Sequence, residues 1–278
     1  MEVLDRHQGV RHECGGSLTN AQRMEALLLV VASIVAGLYV LAPLAMWLLR
    51  SSIPPIQWEI LEQSAVVPQP ADAHFWKTTT FLSAHGFDRV GARVKETMPN
   101  GMANYAQLWR NGSTGEAVHI ATTLKHDGTA YQNSFVVFLH ERENGGLVCT
   151  SNFQAPARIN LDPPGMSKLH TPGADLTTLR ALHTGHCALL GERMRPIRMR
   201  DALTFCQALD AALRTTALAK RRYRASGDTL RVTLWGAFYG IWINLPPFKA
   251  MYERRDRDWL YAARGADDSS KAQEHRAA

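Results

Sequence analysis

The densest group of chemistry-bearing side chains is His183-Thr184-Gly185-His186-Cys187. Imidazole nitrogen and thiolate sulfur are donors that zinc takes readily, and Cys206 or Cys149 could complete a set with His183, His186 and Cys187. A zinc site normally shows a second paired half at a fixed spacing, and none is present. The order CxxCH of haem attachment is missing too. No cofactor is therefore expected, and those three residues stand as the metal candidates should one bind. The competing reading is a helix end with a buried cysteine.

The chain holds 11 histidines, among them His74, His85, His119, His126, His140 and His170, scattered without a motif. No GxSxG elbow, HExxH pair or GxxxxGK[ST] loop accompanies them. No catalytic residue is singled out. The four cysteines, Cys14, Cys149, Cys187 and Cys206, read as ordinary thiols, since a chain of this length needs no disulfide framework.

Positive charge is concentrated late. Between Arg180 and Arg257, 15 Lys and Arg face 6 Asp and Glu. The run Lys220-Arg221-Arg222-Tyr223-Arg224 precedes Val232–Phe248, which is 17 residues without a charge. At about 1.5 Å per residue that segment reaches roughly 26 Å, short of a full span, and Pro246-Pro247 breaks its end. Both flanks are basic. It can lie in the membrane interface, cross it, or form part of a soluble core, since Leu230 to Trp235 alternates like a strand. In the interfacial reading, Arg221, Arg222, Arg224, Arg231, Lys249, Arg254 and Arg255 contact anionic headgroups, with Trp235 and Trp242 as wedges. Tyr223 within the cluster could stack on a base, but a lipid surface is the closer polyanion and nucleic acid is not expected.

What makes it closer is Ala26–Leu49, 24 residues without a charge. As a helix it reaches about 36 Å, enough for a hydrocarbon core of about 30 Å. It exceeds a signal-peptide core of about 7–15 residues and has no small-x-small cleavage site at its end. It is expected to be a retained single-pass anchor, kinked at Pro43, with Trp47 and Trp58 near the interface. Arg6, Arg11 and Arg23 before it, against Arg50 after it, favour the domain outside. The later basic cluster pulls the domain towards the cytoplasmic face, where anionic lipid is concentrated. The balance leans to the cytoplasmic face.

The elements that must position these groups follow from turn signals. Residues 1–25 read as a disordered tail and 50–70, with Pro54, Pro55, Pro68 and Pro70, as a linker. Asp72 could cap a helix to about Ala84. Five strands follow: Val90–Met98, Ala103–Arg110, Ala117–Leu124, Tyr131–Glu141 and Leu147–Gln154. They are separated by Asn-Gly and Asp-Gly pairs that supply the positive φ of hairpin turns. Pro156–Gly173 crosses over, then Asp175–His186 and Asp201–Tyr223 carry apolar residues at helical spacing. The expected fold is α+β: an N-terminal transmembrane helix, then one domain, 71–225, with a five-strand antiparallel meander and helices packed on one face. Residues 226–260 form the basic aromatic segment, and 261–278 a disordered tail.

The function expected is a membrane-anchored, non-enzymatic module that binds anionic lipid or a membrane protein partner. A hydrolase or metal enzyme with its site near His183–Cys187 is the second reading, and an envelope assembly component with its domain outside the third.

Overall fold

The computed structural model describes residues 20–49, 52–62, 65–97, 102–125, 133–153, 162–191, 193–198 and 200–277. Helix α1 (Asn20–Ala36), a π-helical turn (Gly37–Leu41) and α2 (Ala42–Leu48) make one apolar helix. By length and composition it can cross a membrane. Its Leu, Val and Ile side chains are mostly exposed, from Leu27 to Leu41. The tail expected over 1–25 lies outside the described residues up to 19, and the helix already starts at Asn20.

Next come β1 (Ser52–Ile53), β2 (Gln57–Ile60), α3 (Gln69–Ala84), β3 (Phe87–Arg89), β4 (Val94–Thr97), β5 (Ala103–Asn111), β6 (Ala117–Leu124), β7 (Asn133–Arg142) and β8 (Leu147–Ser151). They are followed by β9 (Ser167–His170), α4 (Leu176–Leu190), β10 (Met194–Arg195), α5 (Ala202–Ala219), β11 (Tyr223–Ser226), β12 (Thr229–Val232), α6 (Leu234–Trp242) and α7 (Phe248–Ala277).

The main sheet runs β2-β4-β5-β6-β7-β8-β9, with β3 and β10 pairing to β5 and β7. Strands β4 to β8 are the expected antiparallel meander, each paired with the next. The sheet as a whole is mixed, because β9 pairs parallel to β8. A parallel pair needs a crossover of about a dozen residues, and the stretch from 152 to 166 provides it. The expectation of a purely antiparallel sheet is corrected there. Residues 50–70, expected as a linker, contribute β1 and β2, and α3 begins at Gln69 behind Pro68.

Helices cover both faces of this sheet, not one. Alternation along β6 decides which residues go where. Val118 and Ile120 join Phe75 and Leu82 of α3 and Leu179 of α4 in one core. Ala117 and Ala121 join Phe205 and Cys206 of α5 in the other. Both helices start on aspartate caps: Asp175 accepts from Thr178 N (2.8 Å) and Asp201 from Thr204 N (2.7 Å).

The C-terminal part turns back on the apolar helix. Strands β1, β12 and β11 form a separate antiparallel ribbon, with Ser52 opposite Arg231. Helix α6 packs against α2 and the π-helical turn. Helix α7 packs along α4 through Leu260 and Ala263, which meet Leu169 and Leu182. The disordered tail expected over 261–278 is helix as far as Ala277. Ala, Lys, Gln, Glu and Arg in that stretch are good helix formers, and the run continues from a docked helix.

Candidate functional site: a basic ribbon at the end of the apolar helix

The second apolar segment begins as strand, since the alternation expected from Leu230 is borne out as far as Val232 in β12, and continues as helix from Leu234. Its helical part, α6, has 9 residues and covers only about 13 Å. It docks on α2 by a contact the sequence prepares. Pro43 has no backbone N–H, so it cannot donate to the Tyr39 carbonyl four residues earlier. The indole Nε1 of Trp242 donates to that carbonyl at 2.8 Å. Trp242, expected as one of the two wedges, thereby has its indole N–H turned towards the apolar helix. Trp235, expected to be the other wedge, is exposed, as are Leu234, Phe248 and Met251.

The basic side chains divide into four groups. Arg222 is engaged: its guanidinium lies 3.5 Å from the centre of the Tyr239 ring. On α7, Lys249 pairs with Glu253 at 3.8 Å, and Arg255 pairs with Asp256 at 3.7 Å and lies over Tyr252. Arg254 is exposed on the same helix. Arg221 is exposed at a left-handed backbone position (φ 54), with its carbonyl accepting from Thr233 Oγ1 at 2.7 Å.

Arg224 and Arg231 make the fourth group. They are directly opposite each other in the β11–β12 pair, so both side chains leave the same face of the ribbon. With Trp47, Leu48 and Val232 they line a cavity of about 200 Å³. Neither has an ion-pair partner among the described residues. Like charges directly opposite in a sheet are destabilising unless an anion sits between them. The sequence shows the alternation from Leu230 that becomes β12, but not the ribbon that this strand forms with β11. Its signal is Gly227-Asp228 between two short alternating runs, a two-residue hairpin turn with φ +58 at Gly227.

The metal candidates are only partly brought together. His183 and Cys187, one turn apart on α4, face His140 of β7. His186 points elsewhere: its Nδ1 lies 3.0 Å from Thr150 Oγ1 and its Nε2 lies 2.8 Å from Ser167 Oγ. His183 is fully buried, and burial, ahead of the charges of His140, His186 and Arg180, holds its pKa well below the usual 6.5. Cys149 lies on the α5 side of the sheet, as does Cys206, 3.7 Å from His119 Nε2, so neither completes the set. Cys149, Cys187 and Cys206 are free thiols, and Cys14 lies outside the described residues. On that α5 side an apolar cavity of about 270 Å³ lies between Phe135, Leu139, Phe205 and Leu209, with His119 in its wall. Comparison of the chain with protein-family models, with curated proteins and with solved structures finds no match in any of the three.

Proposed function

We propose that this chain is a membrane-anchored, non-enzymatic module that binds anionic lipid headgroups where its apolar helix leaves the bilayer. The observation that carries this reading is the facing pair Arg224 and Arg231 beside Trp47 and Leu48. Trp at the end of an apolar span sits at headgroup level, and Arg near an anionic surface contributes about 1 kcal/mol each. A phosphate between the two guanidiniums relieves their repulsion and accepts hydrogen bonds from both. Exposed Leu27 to Leu41 along α1 and the π-helical turn support the anchor, because water is a poor solvent for so much contiguous apolar surface. Exposed Trp235, Leu234 and Met251 suit the boundary next to it. The domain then lies on the cytoplasmic side, where anionic lipid is concentrated.

The test uses the full chain in nanodiscs of neutral lipid and of neutral lipid mixed with phosphatidylglycerol. Anionic lipid is expected to raise the Tm of the parent protein by about 4–8 °C, from two cations at about 1 kcal/mol each. The double variant Arg224→Gln/Arg231→Gln is expected to lose that increment while keeping or raising its Tm in neutral discs. Equal increments for the two proteins would remove this reading.

A further inference from the structure

His140, His183 and Cys187 form a triangle of donor atoms. His140 Nδ1 and His183 Nε2 are 3.0 Å apart, and Cys187 Sγ is 3.7 Å from each of them. Tetrahedral zinc has Zn–N bonds of about 2.0–2.1 Å and Zn–S bonds of about 2.3 Å. Two nitrogens on it are therefore separated by about 3.3 Å, and nitrogen and sulfur by about 3.6 Å. The triangle matches one face of that tetrahedron to about 0.3 Å on each edge.

The fold sets this triangle from two directions. His183 and Cys187 are four apart on α4 and share a face. His140 shares the face of β7 with Val136 and Phe138, both in the core that α4 covers. The imidazole planes of His140 and His183 are stacked, 9° from parallel.

Both imidazoles are also held from behind. His183 Nδ1 lies 3.0 Å from the buried Thr150 Oγ1, which leaves Nε2 for the triangle. The backbone carbonyl of Thr114 accepts from His140. Metal-bound histidine typically has its other ring nitrogen held this way, which fixes tautomer and orientation. Thr150 in turn meets His186, and His186 meets Ser167, so His186 supports the site from outside it.

We propose that His140, His183 and Cys187 bind zinc, with the fourth position taken by water or a small ligand. The thiol proton is released on binding and the thiolate becomes the third bond. Three protein ligands leave one corner of the zinc tetrahedron open, which is where the water or small ligand sits. The inference does not depend on the lipid reading, because the triangle and the Arg224–Arg231 pair lie on different elements.

The experiment is metal analysis of the full chain purified in detergent, followed by chelator treatment and titration with zinc alone. About one equivalent of zinc is expected, with Tm falling after chelation and recovering on zinc addition. Cobalt replacing zinc should give a near-ultraviolet thiolate-to-metal charge-transfer band. Cys187→Ser should abolish that band, and His140→Gln should weaken zinc binding at least about 100-fold. Cys206→Ser, on the other face of the sheet, should leave both unchanged. His140 is half-buried, so its Gln variant tests the site with the least disturbance of the core. A parent protein that takes up no zinc in the titration overturns the site. So does a cobalt band that survives Cys187→Ser, and retention of copper in preference to zinc overturns the choice of ion. The triangle would then be the end of a hydrogen-bonded chain from Ser167 through His186, Thr150 and His183 to His140.

Discussion

Between pH 6.5 and pH 4 this protein is expected to lose about 3 kcal/mol of stability at one residue, His119. The imidazole lies between Phe135, Phe205 and Cys206 on the α5 side of the sheet. Burial alone lowers its pKa from 6.5 to about 4. In the unfolded chain the imidazole takes a proton at about 6.5; in the folded protein it does not until about 4. The unfolded state therefore binds more protons across that window, and stability rises with pH there. The contribution is complete above 6.5 and declines by about 1.4 kcal/mol per pH unit on acidification. It levels off below the folded value. His74, lowered chiefly by burial, acts in the same direction. A loss of this size is a large fraction of the 5–15 kcal/mol typical of a whole protein. Urea unfolding of the parent and of His119→Leu, each at pH 7.5 and 4.5, measures it. The difference between the two pH values should be about 2–3 kcal/mol smaller in His119→Leu. Equal differences would mean that water reaches the imidazole through the adjacent cavity and that burial does not hold it neutral.

How much of this was legible in advance differs by element. Strands β5 to β8 were readable because Asn111-Gly112 and Asn144-Gly145-Gly146 punctuate alternating runs. Ala117–Leu124 coincides with β6 to the residue. The starts of α4 and α5 were readable because Asp175 and Asp201 are caps. Strand β9 was not, since 4 residues in a proline- and glycine-bearing crossing have no pattern of their own, and its pairing is set by where the chain returns. Strands β1 and β2 were hidden by Pro54-Pro55, although edge strands tolerate proline nearby. The metal candidates show the same division. His183 and Cys187 share a helical face that sequence alone displays. His140 is 43 residues away and becomes their neighbour only once the face that α4 covers is known. His186, at i+3 from His183, leans to Thr150 and Ser167, a difference of direction that spacing along one helix does not resolve. The basic segment was legible in composition but not in which cations are free, because that depends on Tyr239, Glu253 and Asp256 occupying some of them.

Gly236→Ala is expected to unseat the C-terminal segment from the apolar helix. At Gly236 a Cβ would lie 1.9 Å from the Arg222 carbonyl oxygen and 2.7 Å from its carbon. Both are backbone atoms, and neither can step aside. That carbonyl already accepts from Thr233 N (2.9 Å) and Thr233 Oγ1 (3.0 Å), and Thr233 in turn caps α6 through Gly236 N (3.0 Å). The methyl group must therefore push α6 away from the start of β11. Tyr239 then leaves Arg222, and Trp242 leaves the Tyr39 carbonyl, which Pro43 cannot satisfy. Overpacking of this kind costs about 1–3 kcal/mol, and the loss of a cap and a buried hydrogen bond adds about 1 kcal/mol each. A fall in Tm of about 6–20 °C should follow. Gly265→Ala is the matched control, because nothing lies within 4 Å of a Cβ in that position on α7, and the same substitution there should raise stability by about 0.5–1 kcal/mol. Opposite signs for one chemical change at two helical glycines separate the contact from any general preference for alanine. Because Arg224 is two residues beyond the displaced Arg222 and faces Arg231 across the ribbon, the unseated variant should also lose the Tm increment from anionic lipid. An unchanged melt for Gly236→Ala would mean that α6 does not dock against the ribbon, and the headgroup site beside Trp47 would lose its framework with it.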